Sequence, residues 1–182
     1  VHLMRSNHDC IMTSSQTIIK DDPSLTCRIH GLENRSPSRI ILDNTLKTKM
    51  SSKIFKEANK YKKIIFNNKI NNKKIRLFKK LRVKTFKIPL DADNNLDLRK
   101  CLMKTKKLGF SRIFLESGIS LGSNFIGKNL VDDYMLFVSS KNLGKKGKLN
   151  IKKFMNLFLK KKKCVYEKVN LLGDTLISYK LK

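Results

Sequence analysis

The chain has 182 residues, of which 40% are hydrophobic and 30% are charged. This size and composition fit a globular chain with its own core and exclude a disordered one. Its 41 Lys and Arg residues against 14 Asp and Glu residues give a formal net charge of +27. No apolar run approaches the ~18 residues of a membrane span, and no signal peptide is visible.

The high net charge has two possible explanations, an anionic partner or a bias in codon usage. A charge of +27 attracts nucleic acid or anionic membranes. The lysines, however, are scattered over nearly every segment together with Asn and Ile, the residues that A/T-rich codons encode. The densest run, 160–163, is typical of a solvated helix end, and the basic segments lack clustered aromatic residues for base stacking. We therefore expect no membrane partner and keep nucleic-acid binding as a rival function.

The cysteines and histidines give no metal signature. The four cysteines stand alone at positions 10, 27, 101 and 164, without a Cys-x-x-Cys pair. The histidines at 2, 8 and 30 lack metal-ligand spacing. Unpaired thiols in apolar surroundings are typical of a reducing compartment. We predict a cytoplasmic protein without a zinc site.

The first half of the chain alternates between apolar runs and helix signals. Residues 3–7 are typical of the end of a helix. Ser14-Ser15 predicts the cap of a helix at 16–20, which the Pro23 segment ends. Residues 26–29 favour an extended chain, and 31–38 a loop. The apolar runs predict strands at 9–13, 39–43, 62–66 and 83–88, with a basic stretch, helical or irregular, between the last two.

The alternation continues beyond residue 90. Asp97 is typical of the cap of an amphipathic helix that Gly109 closes. Its apolar face is formed by Leu98, Cys101, Leu102 and Thr105. A short strand at 112–115 follows and ends at Glu116.

The last third of the chain combines one more strand, a short helix and a hairpin. Residues 134–139 predict a strand, and 142–148 a loop rich in Gly and Lys. Phe154, Leu157 and Phe158 have the spacing of a short helix. Gly173-Asp174 predicts a tight turn between alternating runs at 164–171 and 175–181.

Residues 113–126 form a strand, a glycine turn and a helix in sequence. A helix that begins just after a strand presents unpaired N–H groups and a positive dipole end, which favour an anion such as phosphate. Gly118 allows a turn with φ > 0, and Gly122 would let another backbone or a ligand come close. The Gly-x-x-x-Gly pattern alone also fits any strand–helix unit.

Strands that alternate with helices predict an α/β fold. We expect a mostly parallel sheet flanked by helices, with an antiparallel β-hairpin at one edge, in a single domain over 1–182. Ligands bind beyond the carboxyl ends of such strands. Polar segments lie at three of these ends: 13–22, Asp43-Asn44 and 116–124. We therefore expect these segments to share one cleft.

Four blocks of sequence resemble the reductase half of the bacterial riboflavin-biosynthesis deaminase/reductase. The most specific is Thr-x-x-x-Asp-Asp-Pro-x-Leu-Thr-x-Arg, from Thr17 to Arg28. The others are Pro37-Ser38-Arg39-Ile40-Ile41-Leu42-Asp43, Leu115-Glu116-Ser117-Gly118 and Asn129-Leu130-Val131-Asp132-Asp133, in the family's order. The family's more usual Glu-Gly/Ala-Gly is Glu-Ser-Gly here. The resemblance implies a fold like that of dihydrofolate reductase, with its first strand before Val1.

The resemblance also implies a reaction. It is the NADPH-dependent reduction of the ribosyl group of 5-amino-6-(5-phosphoribosylamino)uracil to the ribityl product, with C1′ accepting hydride. The cofactor supplies the hydride, while the protein binds and orients the substrate and excludes water from the site. The zinc-deaminase signature is absent from the sequence, so we expect a deaminase domain upstream in the full-length protein. The oligomeric state stays open, with a homo-oligomer among the alternatives.

Site residues follow from the same resemblance. The cofactor-binding positions match Thr17, Asp21, Asn44, Gly118, Ile119, Ser120, Leu121, Gly122, Ser123 and Asn124, of which 118–124 would take the diphosphate. The substrate-binding positions match Arg5, Leu25, Arg28 and Glu116. Both arginines suit a phosphate because a guanidinium forms fixed, bidentate hydrogen bonds. Asp21 is the candidate proton donor.

Other interpretations remain open at this stage. Thr17, Asp21 and Asn44 also fit ordinary helix and turn positions, Arg5 fits a surface position and Leu25 a core position. A related pyrimidine or pterin reductase of the same fold is the alternative enzyme. A basic nucleic-acid-binding module is the alternative from another class.

Overall fold

A computed structural model describes residues 1–56, 61–141, 152–160, 162–169 and 171–182. The chain divides into two compact units, Val1–Gly118 and Ile119–Lys182. The predicted loop at 142–148 lies outside the described residues, as do position 161 of the basic run and position 170 of the hairpin. The single domain over 1–182 stays a prediction.

The first unit alternates between helices and strands. Its elements are α1 (His2–Ser6), β1 (Cys10–Ser14), α2 (Ser15–Asp21), β2 (Ser38–Leu42), β3 (Lys63–Asn67), α3 (Asn72–Lys80), β4 (Val83–Lys87), α4 (Leu98–Lys107) and β5 (Ile113–Leu115). Short 3₁₀ turns lie at Glu33–Arg35 and Lys53–Phe55. The basic stretch after β3 is helical, because Asn71 caps α3 by accepting from the Lys74 N–H.

The strands of this unit form a parallel sheet in the order β4-β3-β2-β1-β5. β1 lies between β2 and β5, with Ser14 opposite Leu42 and Met12 opposite Leu115. The chain therefore runs outward from β1 to β4 and returns to the other side of β1. Ligands of open α/β sheets bind at such a reversal of strand order.

Alternate residues of the strands fill the core on both faces. Ile11, Ile41 and Ile65 belong to one buried cluster together with Ile18 of α2 and Phe78 of α3. The residues between them point to the opposite face and are also fully buried: Met12, Ile40, Ile64 and Phe66. Burial on both faces is typical of parallel strands covered by helices, and it explains their continuous apolar runs.

The predicted helix boundaries are confirmed at several positions. The Ser14 hydroxyl accepts from the Thr17 N–H at 3.2 Å. The Asp97 carboxylate accepts from the Lys100 N–H at 3.1 Å and so caps α4. Gly109 has φ +89 directly after this helix, as a C′ residue requires.

The second unit contains two helices and an antiparallel sheet. Its elements are α5 (Ile119–Gly127), β6 (Asp133–Val138), α6 (Lys152–Phe158), β7 (Cys164–Tyr166) and β8 (Thr175–Lys180). The strand order is β6-β8-β7, with both pairs antiparallel. Its core contains Phe154, Ile177 and Tyr179, and Tyr134 and Leu136 pack against them.

The α/β class, the parallel sheet and the hairpin are confirmed, but three details differ from the sequence-based expectation. The hairpin pairs with β6 in a sheet of its own rather than extending the parallel sheet. Its turn residues are Leu172 and Gly173, which have φ values of 53 and 96, rather than Gly173-Asp174. This turn has the two positive φ values of type I′. Asp174 instead pairs with Leu171.

The third difference concerns Gly118. The turn with φ > 0 that a glycine allows is not used at this position, because the glycines with positive φ among the described residues are Gly31, Gly109 and Gly173. α5 begins at the next residue. A residue that precedes a helix usually adopts an extended conformation, so a left-handed one is not needed there.

Candidate functional site

Within the first unit, polar residues follow three neighbouring strands at the carboxyl edge of the parallel sheet. β1 ends at Ser14, and the ends of β2 and β5 flank it. Asp43 follows β2 directly, and Glu116 follows β5 with its N–H donating to the Met12 carbonyl at 3.0 Å. Within the first unit, the expected grouping of strand ends is therefore present.

Arg5 and Glu116 form the centre of this site. Arg5 Nε donates to Glu116 Oε2 at 3.0 Å, and Nη2 donates to Oε1 at 2.6 Å. Arg5 is 8% exposed, whereas the Glu116 side chain is 28% exposed. This bidentate geometry is the strong form of an ion pair. Two predicted substrate-binding residues, 111 positions apart, thus contact each other.

The segment around Thr26 completes the cluster. Arg5 Nη1 donates to the Thr26 carbonyl at 2.8 Å. The same carbonyl lies 3.1 Å from His2 Nδ1, and the Arg28 N–H points to that nitrogen at 3.2 Å. The side chain of Arg28 is exposed. Arg28 therefore joins the cluster through its backbone N–H, and its side chain stays exposed.

Leu25 has a different place from the other predicted substrate residues. Its side chain is 2% exposed and belongs to the buried cluster of the sheet. Its φ of 53 lies in the left-handed region, which is uncommon for a residue other than glycine. Packing of the Leu25 side chain holds this conformation. Leu25 therefore shapes the backbone that leads to Thr26 and Arg28.

The predicted cofactor residues of α2 have local partners. The Thr17 hydroxyl lies 3.1 Å from the Ser14 hydroxyl in the capping turn. Asp21 is exposed at the last position of α2. Its neighbour Asp22 has φ 40 and accepts from the Lys53 N–H at 2.8 Å. Asp21 is thus the more accessible of the two carboxylates.

Asp43 and Asn44 follow β2, and their side chains have different partners. Asp43 is 1% exposed and accepts from the Lys47 N–H, the Thr48 N–H and the Thr48 hydroxyl at 2.7–2.8 Å. Asn44 is half-buried, and its Nδ2 donates to the Asn94 carbonyl at 3.4 Å. Asp43 therefore fixes the loop that carries Asn44. Asn44 remains the residue that a ligand can reach.

The helix α5 carries the other predicted cofactor residues. It has nine residues, and its first turn contains Ser120, which is exposed. A Cβ built on Gly118 or Gly122 would meet no atom within 4 Å. Open space above these glycines and the unpaired N–H groups of a first turn fit a diphosphate.

A cavity of about 490 Å³ lies in the second unit, and α5 and α6 line it. Ser123 and Asn124 contribute polar atoms, while Phe154, Leu157 and Phe158 form the apolar side. Over the described ranges, no cluster of three His, Cys, Asp or Glu side chains that could hold a metal ion is present. No described helix has the length and apolar character that crossing a bilayer requires.

Sequence reasoning missed His2 and Thr26. His2 precedes Arg5 by one helical turn, a spacing that places both on one face of α1 and was visible in the sequence. Thr26 contributes its backbone carbonyl, for which side-chain patterns give no signal. Thr13, the first residue of the predicted segment 13–22, is fully buried near the end of β1, and among the described contacts its hydroxyl has no hydrogen-bond partner.

Comparisons with known proteins agree on one family. A family model described as the RibD C-terminal domain matches residues 1–166. The riboflavin biosynthesis protein RibD of Aquifex aeolicus is 28% identical over 181 residues, which cover 98% of this chain and 48% of that protein. A 2,5-diamino-6-ribosylamino-4(3H)-pyrimidinone 5′-phosphate reductase of Archaeoglobus fulgidus is 22% identical over 183 residues, covering 96% of this chain and 80% of that protein.

Solved structures show the same fold. RibD of Acinetobacter baumannii superposes with a TM-score of 0.72 at 17% identity, covering 100% of this chain and 49% of that one. The riboflavin biosynthesis reductase Rib7 of Saccharomyces cerevisiae gives 0.72 at 18% identity and covers 100% of this chain and 79% of that one. The chain spans about half the length of the Aquifex and Acinetobacter RibD proteins.

Proposed function

This chain belongs to the RibD C-terminal domain family, and we propose that it is an NADPH-dependent reductase of riboflavin biosynthesis. The substrate we propose is 5-amino-6-(5-phosphoribosylamino)uracil, whose ribosyl group is reduced to ribityl. The observation that supports this most directly is the cluster of Arg5, Glu116 and Thr26 beside the exposed Arg28. Arg28 carries a guanidinium that suits a phosphate, and Glu116 carries a carboxylate that suits substrate hydroxyls.

Each residue of the cluster has a binding task in this proposal. The exposed Arg28 guanidinium binds the substrate phosphate. The Glu116 carboxylate keeps part of its surface open and accepts from substrate hydroxyl or amino groups, while Arg5 fixes its orientation. An ordered carboxylate loses little conformational freedom on binding, which favours a single substrate pose. Leu25 supports this surface from the core rather than contacting the substrate through its side chain.

The cofactor would supply a hydride for C1′, and the residues proposed to bind it are those that the family resemblance implies. In the first unit these are Thr17, Asp21, Asn44 and Gly118. In the second unit they are the residues of the first turns of α5: Ile119, Ser120, Leu121, Gly122, Ser123 and Asn124. The open space at both glycines supports this proposal. Asp21, exposed at the end of α2, is the proposed proton donor.

The name of the Archaeoglobus relative supports a second candidate substrate. That protein is a reductase of the 2,5-diamino-pyrimidinone phosphate, which carries an amino group where the uracil substrate carries an oxygen. NADPH oxidation by the full-length protein should be measured with both pyrimidines and with dihydrofolate. Turnover of the uracil substrate with the highest kcat/KM supports the proposal, and exclusive turnover of either other compound contradicts it.

A glycine substitution tests the diphosphate site. Gly118→Val should weaken NADPH binding by about tenfold or more, because the side chain would occupy the space that a diphosphate needs. The fold should persist, since a Cβ at this position meets no atom within 4 Å. Gly127→Ala is the matched control, because its Cβ makes ordinary contacts of 3.7 Å with Phe158. Equal affinities in all three proteins would refute the assignment.

Nucleic-acid binding is the competing proposal for the basic surface. It predicts an affinity for duplex or single strands that falls steeply with salt concentration. Fluorescence anisotropy with labelled oligonucleotides distinguishes nucleic-acid binding from the reductase proposal. The measurement should cover salt concentrations from about 50 to about 200 mM, over which the affinity of phosphate contacts falls steeply. Absence of binding at physiological salt removes this alternative.

A further inference from the structure

His2 lies beside the proposed substrate site without being part of the motifs that identified it. It is the first residue of α1, and it is half-buried. Its Nδ1 faces the Arg28 N–H at 3.2 Å and the Thr26 carbonyl at 3.1 Å. Arg5, one turn further along the helix, donates to the same Thr26 carbonyl. One face of α1 thus contacts the backbone of both Thr26 and Arg28.

The two contacts of Nδ1 demand different protonation states. An unprotonated Nδ1 accepts from the Arg28 N–H, whereas a protonated one donates to the Thr26 carbonyl. The Thr26 carbonyl already receives Arg5 Nη1 at 2.8 Å. The His2 ring therefore adds a new hydrogen bond when its Nδ1 accepts from the Arg28 N–H. This bond requires the tautomer with its proton on Nε2.

The charges around the ring favour its neutral form. Burial, and then the guanidinium groups of Arg5 and Arg28, lower the pKa of the His2 imidazole. The Thr26 carbonyl opposes this shift in pKa. The ring is therefore neutral near pH 7, so Nδ1 is available as an acceptor.

We propose that His2 is a positioning residue for Arg28: its Nδ1 holds the Arg28 backbone so that the exposed guanidinium faces the substrate phosphate. This inference rests on the proposed function for its substrate. It assigns to α1 two distinct tasks, since Arg5 orients Glu116 and His2 orients Arg28. His2 itself does not touch the substrate.

The first test observes the ring directly and requires no activity. Nitrogen-15 NMR of the full chain with labelled histidine, at pH 7.5, should show the His2 Nδ1 unprotonated and hydrogen-bonded, with the proton on Nε2. A proton on Nδ1 would overturn the proposal. Because this measurement is independent of catalysis, it separates a failure of the inference from a failure of the proposed reaction.

The second test compares substrates with and without the 5′-phosphate. His2→Phe keeps an aromatic ring but removes the acceptor, so kcat/KM should fall by about tenfold to 100-fold for the phosphorylated substrate and stay nearly unchanged for the dephosphorylated one. Arg28→Ala should likewise lower kcat/KM for the phosphorylated substrate and leave it nearly unchanged for the dephosphorylated one. The variant that combines His2→Phe with Arg28→Ala should lose no more kcat/KM than Arg28→Ala alone. His2→Asn, which restores an acceptor near Nδ1, should recover most of the loss.

The control is His8→Phe. His8 is also half-buried, and its Nδ1 contacts the Met4 carbonyl at 2.6 Å, but its ring packs against Phe114. This variant should keep the preference for the phosphorylated substrate. An equal loss for both substrates in His2→Phe would indicate a purely structural role and overturn the proposal. If the wild-type protein reduces neither pyrimidine, the proposed function fails, and the NMR result alone then decides the role of His2.

Discussion

Arg5 and Glu116 are joined by two hydrogen bonds of 3.0 and 2.6 Å, although 111 positions separate them in the sequence. The pair connects α1 to the residue that follows β5. A third hydrogen bond from Arg5 reaches the Thr26 carbonyl. A single guanidinium therefore fixes three segments of the first unit, and the site depends on it for its shape as much as for its charge.

Removal of Arg5 should destabilise the protein. In Arg5→Met, the Glu116 carboxylate and the Thr26 carbonyl both lose a partner, and we expect the free energy of unfolding to fall by about 1–3 kcal/mol. Urea denaturation followed by circular dichroism measures this change. Lys180→Met is the control, because the ion pair between Lys180 and Asp133 is exposed and should be worth less than about 1 kcal/mol. Equal losses in the two variants would contradict this interpretation of Arg5.

Asp43 should matter for both stability and cofactor affinity. Asp43→Asn places an amide against three donors, two N–H groups and the Thr48 hydroxyl. We expect a loss of about 1–3 kcal/mol in the free energy of unfolding. Because the loop that follows carries Asn44, the Kd for NADPH should rise as well. Thr45→Val, at an exposed position of the same loop, should change stability by less than about 0.5 kcal/mol. An unchanged Kd in Asp43→Asn would separate Asn44 from the cofactor site.

Asp9 should make the protein sensitive to acid. Its carboxylate accepts from the Arg112 and Ser111 N–H groups at 2.8 Å, and these bonds lower its pKa below the ordinary value of 3.8. The folded state thus binds a proton less readily than the unfolded state. The stabilisation is fully present above about pH 5 and is lost as the pH falls through 3.8 toward the folded-state pKa.

Asp9→Asn should remove this part of the pH dependence. The measurement is the free energy of unfolding between about pH 3 and pH 6. The prediction fails if the wild type and Asp9→Asn lose stability in parallel below pH 5.

Local signals in the sequence predicted the elements of the fold. Ser14 and Asp97 were predicted as caps from their position before amphipathic segments, and the structure confirms both hydrogen bonds. A cap acts within one helical turn, so its signal is contained in neighbouring residues. The apolar runs predicted the parallel strands for a similar reason, since burial on both faces requires continuous apolar sequence.

Partners distant in the sequence could not be predicted in this way. The run at 134–139 indicated a strand, but its antiparallel pairing with β8 depends on tertiary packing. Likewise, Glu116 was expected to contact a substrate, and nothing in its neighbourhood indicated that Arg5 holds it. The left-handed Leu25 is a third case, because packing of its side chain outweighs the local preference of its backbone.

The four cysteines should differ sharply in reactivity. Burial raises the pKa of the Cys10 and Cys101 thiols to about 12, and both side chains are fully buried. Cys27 is 2% exposed, whereas Cys164 is exposed on β7. Since the thiolate is the reactive form, iodoacetamide at pH 8 should label Cys164 in the native protein while the other three react only after unfolding. Peptide mass spectrometry identifies the labelled thiol, and Cys164→Ser should abolish the fast phase. Rapid labelling of Cys10 or Cys101 would show that the core of the parallel sheet opens more readily than its packing indicates.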